Sequence, residues 1–179
     1  MDLKGSKTEQ SLLQAFAGES QARNKYDFFA SQAKKEGYEQ ISGIFTETAL
    51  NEKEQAKRFY QLLMGGYVQP TDDNLLAAAL GENEEHTRLY PEFEKIAREE
   101  GFTEIADIFK EISEVEEEHE KRYRKLLDNI KRSTVFRRPT AAKWKCRNCG
   151  YIHEGLEPPE VCPACAHPKA YYEELAENY

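Results

Sequence analysis

Ile112-Ser113-Glu114-Val115-Glu116-Glu117-Glu118-His119-Glu120-Lys121-Arg122-Tyr123 breaks an apolar helical stripe with a carboxylate, Glu116, and an imidazole, His119. Groups at i and i+3 share a helix face, so both lie on the side of Ile112 and Tyr123. The carboxylate has an earlier counterpart. Gly18-Glu19 falls on Gly81-Glu82 at an offset of 63. After one inserted residue, Ile41, Ile44 and Phe45 fall on Ile105, Ile108 and Phe109. Glu52, Lys57, Arg58, Leu62 and Leu63 then fall on Glu116, Lys121, Arg122, Leu126 and Leu127. Two glutamates per half stay in register, which a purely structural repeat has no reason to preserve. The pattern points to a metal site.

Around this stretch, residues 8–130 carry helical periodicity in four blocks. The first, Thr8–Glu36, aligns Leu12, Ala15, Phe16, Ala22, Tyr26, Phe29 and Ala33. The second, Tyr38–Met64, aligns Ile41, Ile44, Phe45, Thr48, Phe59 and Leu62. The third, Thr71–Glu99, aligns Leu75, Ala79, Leu89, Phe93 and Ile96. The fourth, Thr103–Lys131, continues from Ile105 and Ile108 to Ile130. Each follows the i, i+3, i+4, i+7 rule of one buried stripe. Gly37, Gly65-Gly66 and Gly101 read as helix stops. A four-helix bundle is expected.

The glutamates sit where the stripe calls for apolar residues. Glu19 follows Phe16, Glu52 follows Thr48, Glu82 follows Ala79, and Glu85 is one turn beyond Glu82. A lone buried carboxylate costs several kcal/mol unless it is protonated or paired. Five carboxylates and an imidazole from four helices need cations, and two iron or manganese ions suit such a donor set. His86 lies near the inward face but is read as a flank residue. Gln55 holds the place that His119 holds in the second half, and an amide oxygen is a poor substitute for an imidazole nitrogen.

With a net charge of −8, nucleic acid and anionic membranes are unsuited partners. Met1–Gln10 is polar, and no run approaches the roughly 18 apolar residues of a membrane span. A cytoplasmic protein is expected. All four cysteines fall within residues 146–165 as Cys146-x-x-Cys149 and Cys162-x-x-Cys165. Without an export signal this spacing reads as a tetrathiolate metal site rather than disulfides. Zinc and iron share that ligand set. The flanking Trp144, Gly150 and Tyr151 resemble rubredoxin, a one-iron electron carrier. So small a module, poor in aliphatic residues, needs its metal to fold. Domain boundaries are expected at residues 1–135, 136–143 (a basic linker containing Pro139) and 144–179.

Taken together, the chain resembles the rubrerythrins over essentially its whole length. The likeness is carried by Ala15-Phe16-Ala17-Gly18-Glu19-Ser20-Gln21-Ala22-Arg23-Asn24, Glu82-x-x-Glu85, Glu116-x-x-His119, Cys146-x-x-Cys149-Gly150-Tyr151 and Cys162-Pro163-Ala164-Cys165-Ala166-His167-Pro168-Lys169. It implies a ferritin-like four-helix bundle joined to a rubredoxin-like module. The implied activity is a non-haem peroxidase reducing hydrogen peroxide to water, in oxidative-stress defence. Implied ligands of a di-iron centre are Glu19, Glu52, Glu82, Glu85, Glu116 and His119. One further iron is implied at Cys146, Cys149, Cys162 and Cys165. Tyr26 and Tyr90 match tyrosines that hydrogen-bond site carboxylates, and Glu85 matches a carboxylate suited to relaying a proton. Electrons are expected to pass from the thiolate-bound iron to the iron pair, fed by an upstream reductase, pyridine-nucleotide linked, or by a rubredoxin. Two other readings are a ferroxidase or iron-handling protein, and a zinc-loaded scaffold without turnover.

Connectivity adds an expectation about assembly. A pseudo-two-fold repeat around one site runs the third helix parallel to the second, so their connection must cross the bundle, about 30 Å at 1.5 Å per residue. Residues 64–74 span at most ~33–36 Å when extended. A homodimer that exchanges helix pairs relieves this strain. At position 55 the rubrerythrin pattern carries a histidine, towards which one iron moves on reduction, so Gln55 is expected to allow assembly but slow the reaction. Gln55→His should therefore raise peroxide turnover at equal metal content; equal turnover with equal metal would count against a role for position 55.

Overall fold

The computed structural model describes residues 2–178. Helix α1 spans Lys7–Lys35 and α2 spans Glu39–Leu63. They are followed by α3 (Thr71–Glu84), a π-helical turn (Glu85–Leu89), α4 (Tyr90–Glu99) and α5 (Thr103–Lys131). Three short strands follow, β1 (Ala142–Cys146), β2 (Ile152–Gly155) and β3 (Tyr172–Glu174). The protein is thus mainly helical, with a small C-terminal sheet that carries the cysteines. Its contacts divide it into two units, with the boundary after Pro70.

The first unit is the α1–α2 hairpin. Ser6 caps α1 by accepting from the Glu9 N–H at 3.0 Å, while the Glu9 carboxylate accepts from the Gly5 N–H at 2.6 Å. The first bond satisfies an N-terminal donor of the helix, and the second ties the residue before the cap to the first turn. At the other end Gly37 takes φ 86°, and the Tyr38 N–H reaches back to the Ala33 carbonyl at 2.9 Å. Only a residue without Cβ adopts that conformation at no cost. Buried Ala30, Ala33, Ser42, Ala49 and Ala56 let the two helices approach closely, and the Ser42 hydroxyl donates to the Ala30 carbonyl at 2.8 Å.

The second unit repeats this hairpin, with α3 and α4 against α5, and adds the cysteine module. Gly101 also has φ 86°, and the Phe102 N–H reaches the Ala97 carbonyl at 2.8 Å. The aromatic clusters match as well. Tyr26, Phe29 and Phe45 have centroid spacings of 6.1, 6.1 and 5.5 Å. Tyr90, Phe93 and Phe109 have spacings of 6.2, 6.1 and 5.6 Å. Each hairpin also leaves its equivalent apolar face uncovered: Ile41 and Ile44 are 47% and 56% exposed, and so are Ile105 and Ile108.

The third helical block is not the single α-helix that its periodicity predicts. The physical reason is the residue inserted between the halves. Glu19 and Glu82 are offset by 63 and Tyr26 and Tyr90 by 64, so the extra residue lies between Glu82 and Tyr90. A helix absorbs one extra residue as a π-bulge, and Glu85–Leu89 is that bulge.

In the module, β1 is central, antiparallel to both β2 and β3, with Trp144 opposite His153 and Cys146 opposite Tyr172. Its core is Trp144, Cys146, Cys162 and Tyr172. The Trp144 indole N–H donates to the Gly155 carbonyl at 3.0 Å. Residues 136–143, read from sequence as linker, are partly ordered onto the module. The Arg138 N–H donates to the Leu156 carbonyl at 2.9 Å, its guanidinium stacks 5.4 Å from the Trp144 ring, and β1 already begins at Ala142.

Candidate metal centres

In the second unit, Glu82 on α3 meets Glu116 and His119 on α5, with one ligand atom from each lying within 4.8 Å of the others. His119 Nδ1 is 2.6 Å from a Glu116 carboxylate oxygen and 4.0 Å from a Glu82 oxygen. Burial first, then the charge and hydrogen bond of Glu116 and the charge of Glu85, hold Glu82 above the usual carboxylate range. The Tyr90 phenol is raised by burial and then by Glu85, Glu116 and Glu82. Glu85 and Tyr90 therefore belong to the same electrostatic cluster.

In the first unit, Glu19 on α1 and Glu52 on α2 form a second carboxylate pair. Burial, then a hydrogen bond with Glu19 and its charge, raise Glu52. Two carboxylates brought together share a proton unless a cation neutralises them. Gln55 is exposed on α2. Tyr26 is half-buried and packs on Phe29 and Phe45.

Sequence reading missed a polar cluster beside the second-unit site. The carboxylate of Glu120, which is buried, accepts from Asn83 at 3.0 Å, pairs with His86 Nε2 at 2.6 Å and accepts from Arg124 at 2.5 Å. The His86 hydrogen bond first, then Asn83, lower Glu120 to about 2. His86 is thus engaged with Glu120, while its own carbonyl accepts from Ser113 at 3.1 Å. This cluster ties the π-turn to α5. A signal existed in the repeat: the counterpart of Glu120 is Ala56, itself buried, and that of Asn83 is Ser20.

The cysteine site is formed by two equivalent knuckles. The Gly150 N–H reaches the Cys146 carbonyl at 2.8 Å and the Ala166 N–H the Cys162 carbonyl at 2.9 Å, with φ of 80° and 58° at the turning residues. The four sulfur atoms lie within 4.8 Å of one another, and all four cysteines are free. Cys146 and Cys165 sulfurs are 3.8 Å apart and those of Cys149 and Cys162 3.6 Å. The His167 backbone N–H draws Cys165 down, to about 6. Cys149 gains a similar bond from the Tyr151 N–H, yet the neighbouring thiols push it up, to about 12. Four thiolates this close require a cation.

The rubrerythrin family model matches residues 10–127 and again residues 73–143, the second match starting one repeat further on. A separate model, the rubredoxin-like domain of rubrerythrin, matches residues 144–173. The chain belongs to the rubrerythrin family. Rubrerythrin from Porphyromonas gingivalis is 55% identical, over 99% of this chain and 94% of its own. Rubrerythrin from Nitratidesulfovibrio vulgaris is 54% identical, over 99% and 98%. A solved structure of nigerythrin in a mixed-valence state is 34% identical over 97% of this chain and 91% of its own, with a TM-score of 0.34.

As a member of this family the chain is an oxidoreductase with a di-iron centre and a rubredoxin-type iron as cofactors. The donors fit. Clustered carboxylates and an imidazole match the hard and borderline preferences of iron, and four convergent thiolates match a tetrahedral ion. No helix among the described residues is long and apolar enough to cross a membrane.

Glu120→Ala leaves His86 and Asn83 without their buried acceptor and should destabilise the second unit by about 1–3 kcal/mol. Denaturant unfolding of the metal-free protein measures this, and a loss below about 0.5 kcal/mol, the scale of an ordinary surface change, would refute the role given to Glu120.

Proposed function

We propose that the chain is a cytoplasmic non-haem di-iron peroxidase, reducing hydrogen peroxide to water in defence against oxidative stress. The observation that carries this reading is the presence in one chain of two unlike clusters, one of carboxylates and imidazole, one of four thiolates. A hydrolytic or storage function has no need of the second. Glu19, Glu52, Glu82, Glu85, Glu116 and His119 would hold the iron pair, which when bound would supply both electrons for O–O cleavage. Glu85 is the residue placed to carry a proton to the leaving oxygen, since its charge reaches both Glu82 and Tyr90. Tyr90 and, in the first half, Tyr26 order the carboxylates. Cys146, Cys149, Cys162 and Cys165 hold the electron-donating iron, re-reduced by an NADH-linked reductase or a rubredoxin.

This reading implies a domain-swapped homodimer. The six ligands share one site only if Glu52 and Glu82 lie level on parallel helices. Eleven residues separate Glu52 from Leu63 and eleven separate Thr71 from Glu82, so the connection must climb about 33 Å at 1.5 Å per residue. It comprises Met64–Pro70, shorter than residues 64–74, and reaches at most about 29 Å including both junctions. A second copy supplies the complementary pair and covers the Ile41–Ile44 and Ile105–Ile108 faces, which are exposed in this chain.

Iron-loaded protein, chemically reduced without oxygen and titrated with hydrogen peroxide, should regain its red thiolate-to-iron colour at one peroxide per two electrons. A cysteine centre that stays reduced would refute the peroxidase. Light scattering should give a dimer, and a monomer with a fully loaded di-metal site would rule out the exchange.

A further inference from the structure

Glu82, Glu85 and His119 are three of the candidate ligands, and each is followed in the chain by a member of one hydrogen-bonded cluster: Asn83, His86 and Glu120. One oxygen of the Glu120 carboxylate takes two of these contacts, from Asn83 Nδ2 at 3.0 Å and His86 Nε2 at 2.6 Å. Its other oxygen accepts from Arg124 at 2.5 Å. Glu120 is buried on α5, while Asn83 lies on α3 and His86 in the π-turn. A single side chain thus joins the three segments that carry the ligands. Packing alone does not call for a carboxylate there, since apolar side chains would fill the space without desolvating a charge.

The π-turn brings a further requirement. In an α-helix the Tyr90 N–H would bond the His86 carbonyl, but here it bonds the Glu85 carbonyl. The N–H that a π-helix would offer to His86 belongs to residue 91, and Pro91 has none. The His86 carbonyl is therefore left over by its own helix, and the Ser113 hydroxyl of α5 donates to it at 3.1 Å. In the first half α1 runs unbroken from Lys7 to Lys35, and Ala49, Ala56 and Ser20 stand in place of Ser113, Glu120 and Asn83. Ala49 and Ala56 are buried, and the Ser20 hydroxyl donates to the Phe16 carbonyl of its own helix at 2.7 Å. The cluster accompanies the turn, and a hairpin of this kind packs without it. The turn begins at Glu85, which is half-buried and stands outside the tight group of Glu82, Glu116 and His119. How far Glu85 reaches into that group depends on where the turn is held.

We propose that Glu120 and Ser113 are positioning residues of the second-unit metal centre: by holding Asn83 and His86 they fix α3 and the π-turn against α5, and so set where Glu82 and Glu85 stand relative to His119. The proposal rests on the reading that these residues bind metal. Glu120 and Ser113 act through the neighbours of the ligands. A turn fixed in advance does not have to be ordered when an ion binds, and supporting hydrogen bonds of this kind keep ligands in their productive geometry. What Glu120 contributes is its acceptor oxygen rather than its charge.

The full chain, with colourless zinc in its cysteine site, is titrated with cobalt(II), whose visible bands report the number and arrangement of its ligands. Glu120→Ala should bind cobalt in the bundle about tenfold more weakly than the parent, with shifted bands. Glu120→Gln loses the charge but keeps an acceptor for His86 and Asn83, so it should bind nearly as the parent does. Ser113→Ala removes a single hydroxyl and should weaken binding in the same direction as Glu120→Ala; should the latter fail to fold, Ser113→Ala decides. A merely structural cluster would lower the stability of the metal-free variants and leave cobalt affinity and bands as in the parent, which would overturn the proposal. So would a Glu120→Gln variant as weak as Glu120→Ala, since charge would then be the cause. A parent that takes up no cobalt outside the cysteine site would overturn the metal reading itself.

Discussion

Like charges held close together govern this molecule. Glu82, Glu116 and their neighbour Glu85 converge in the second unit, Glu19 and Glu52 in the first, and four cysteine sulfurs in the module. None of these groupings is stable with every member ionised. Each relies on shared protons or on a cation, and the raised pKa values of Glu52, Glu82 and Cys149 express the same demand. Metal binding here replaces repulsion with coordination, so cofactor and fold are energetically one problem.

The repeat provides the scaffold for that problem, and its asymmetry is concentrated near the site. Both hairpins use the same glycine stop, the same aromatic triad and the same uncovered isoleucine face. They differ where the second half gains one residue. The π-turn this creates starts at Glu85, and the His86–Glu120–Asn83 cluster fastens it to α5. The first half has the small residues Ala56 and Ser20 where Glu120 and Asn83 stand in the second. One half therefore supplies an extra carboxylate on an irregular, tethered turn, and the other supplies a plain helical pair with Gln55 in place of imidazole. Those differences make the two carboxylate clusters chemically unlike.

The cysteine module solves the same difficulty with softer donors. Backbone N–H groups from Tyr151 and His167 point at the sulfurs, because each knuckle turns through a left-handed residue, Gly150 or Ala166. Arg138 stacks on Trp144 and pairs with Glu174 at 2.8 Å, so the segment entering the module helps to hold it. The module is a small sheet whose core is half ligand: Cys146 and Cys162 are among its most buried side chains. Tyr172 completes that core.

Much of this was legible in the sequence because it depends on local periodicity and spacing. The helix boundaries follow from the apolar stripes and glycine stops, and the two Cys-x-x-Cys pairs fix the tetrathiolate site. The doubled glutamates single out Glu82, Glu116 and His119, and the repeat fixes which residues of the two halves correspond. What needed the tertiary structure depends on direction rather than spacing. The one-residue offset showed an insertion, but only the folded chain placed it in the turn at Glu85–Leu89. Nothing in its spacing sets Glu120 apart in an acidic chain; the packing of α3 against α5 buries it on His86 and Asn83. The pairing of β3 with β1 is what sets Tyr172 opposite Cys146 in the core of the module. A sequence records which residues can lie on one face, and the packing of separate elements decides which polar atoms that face must satisfy.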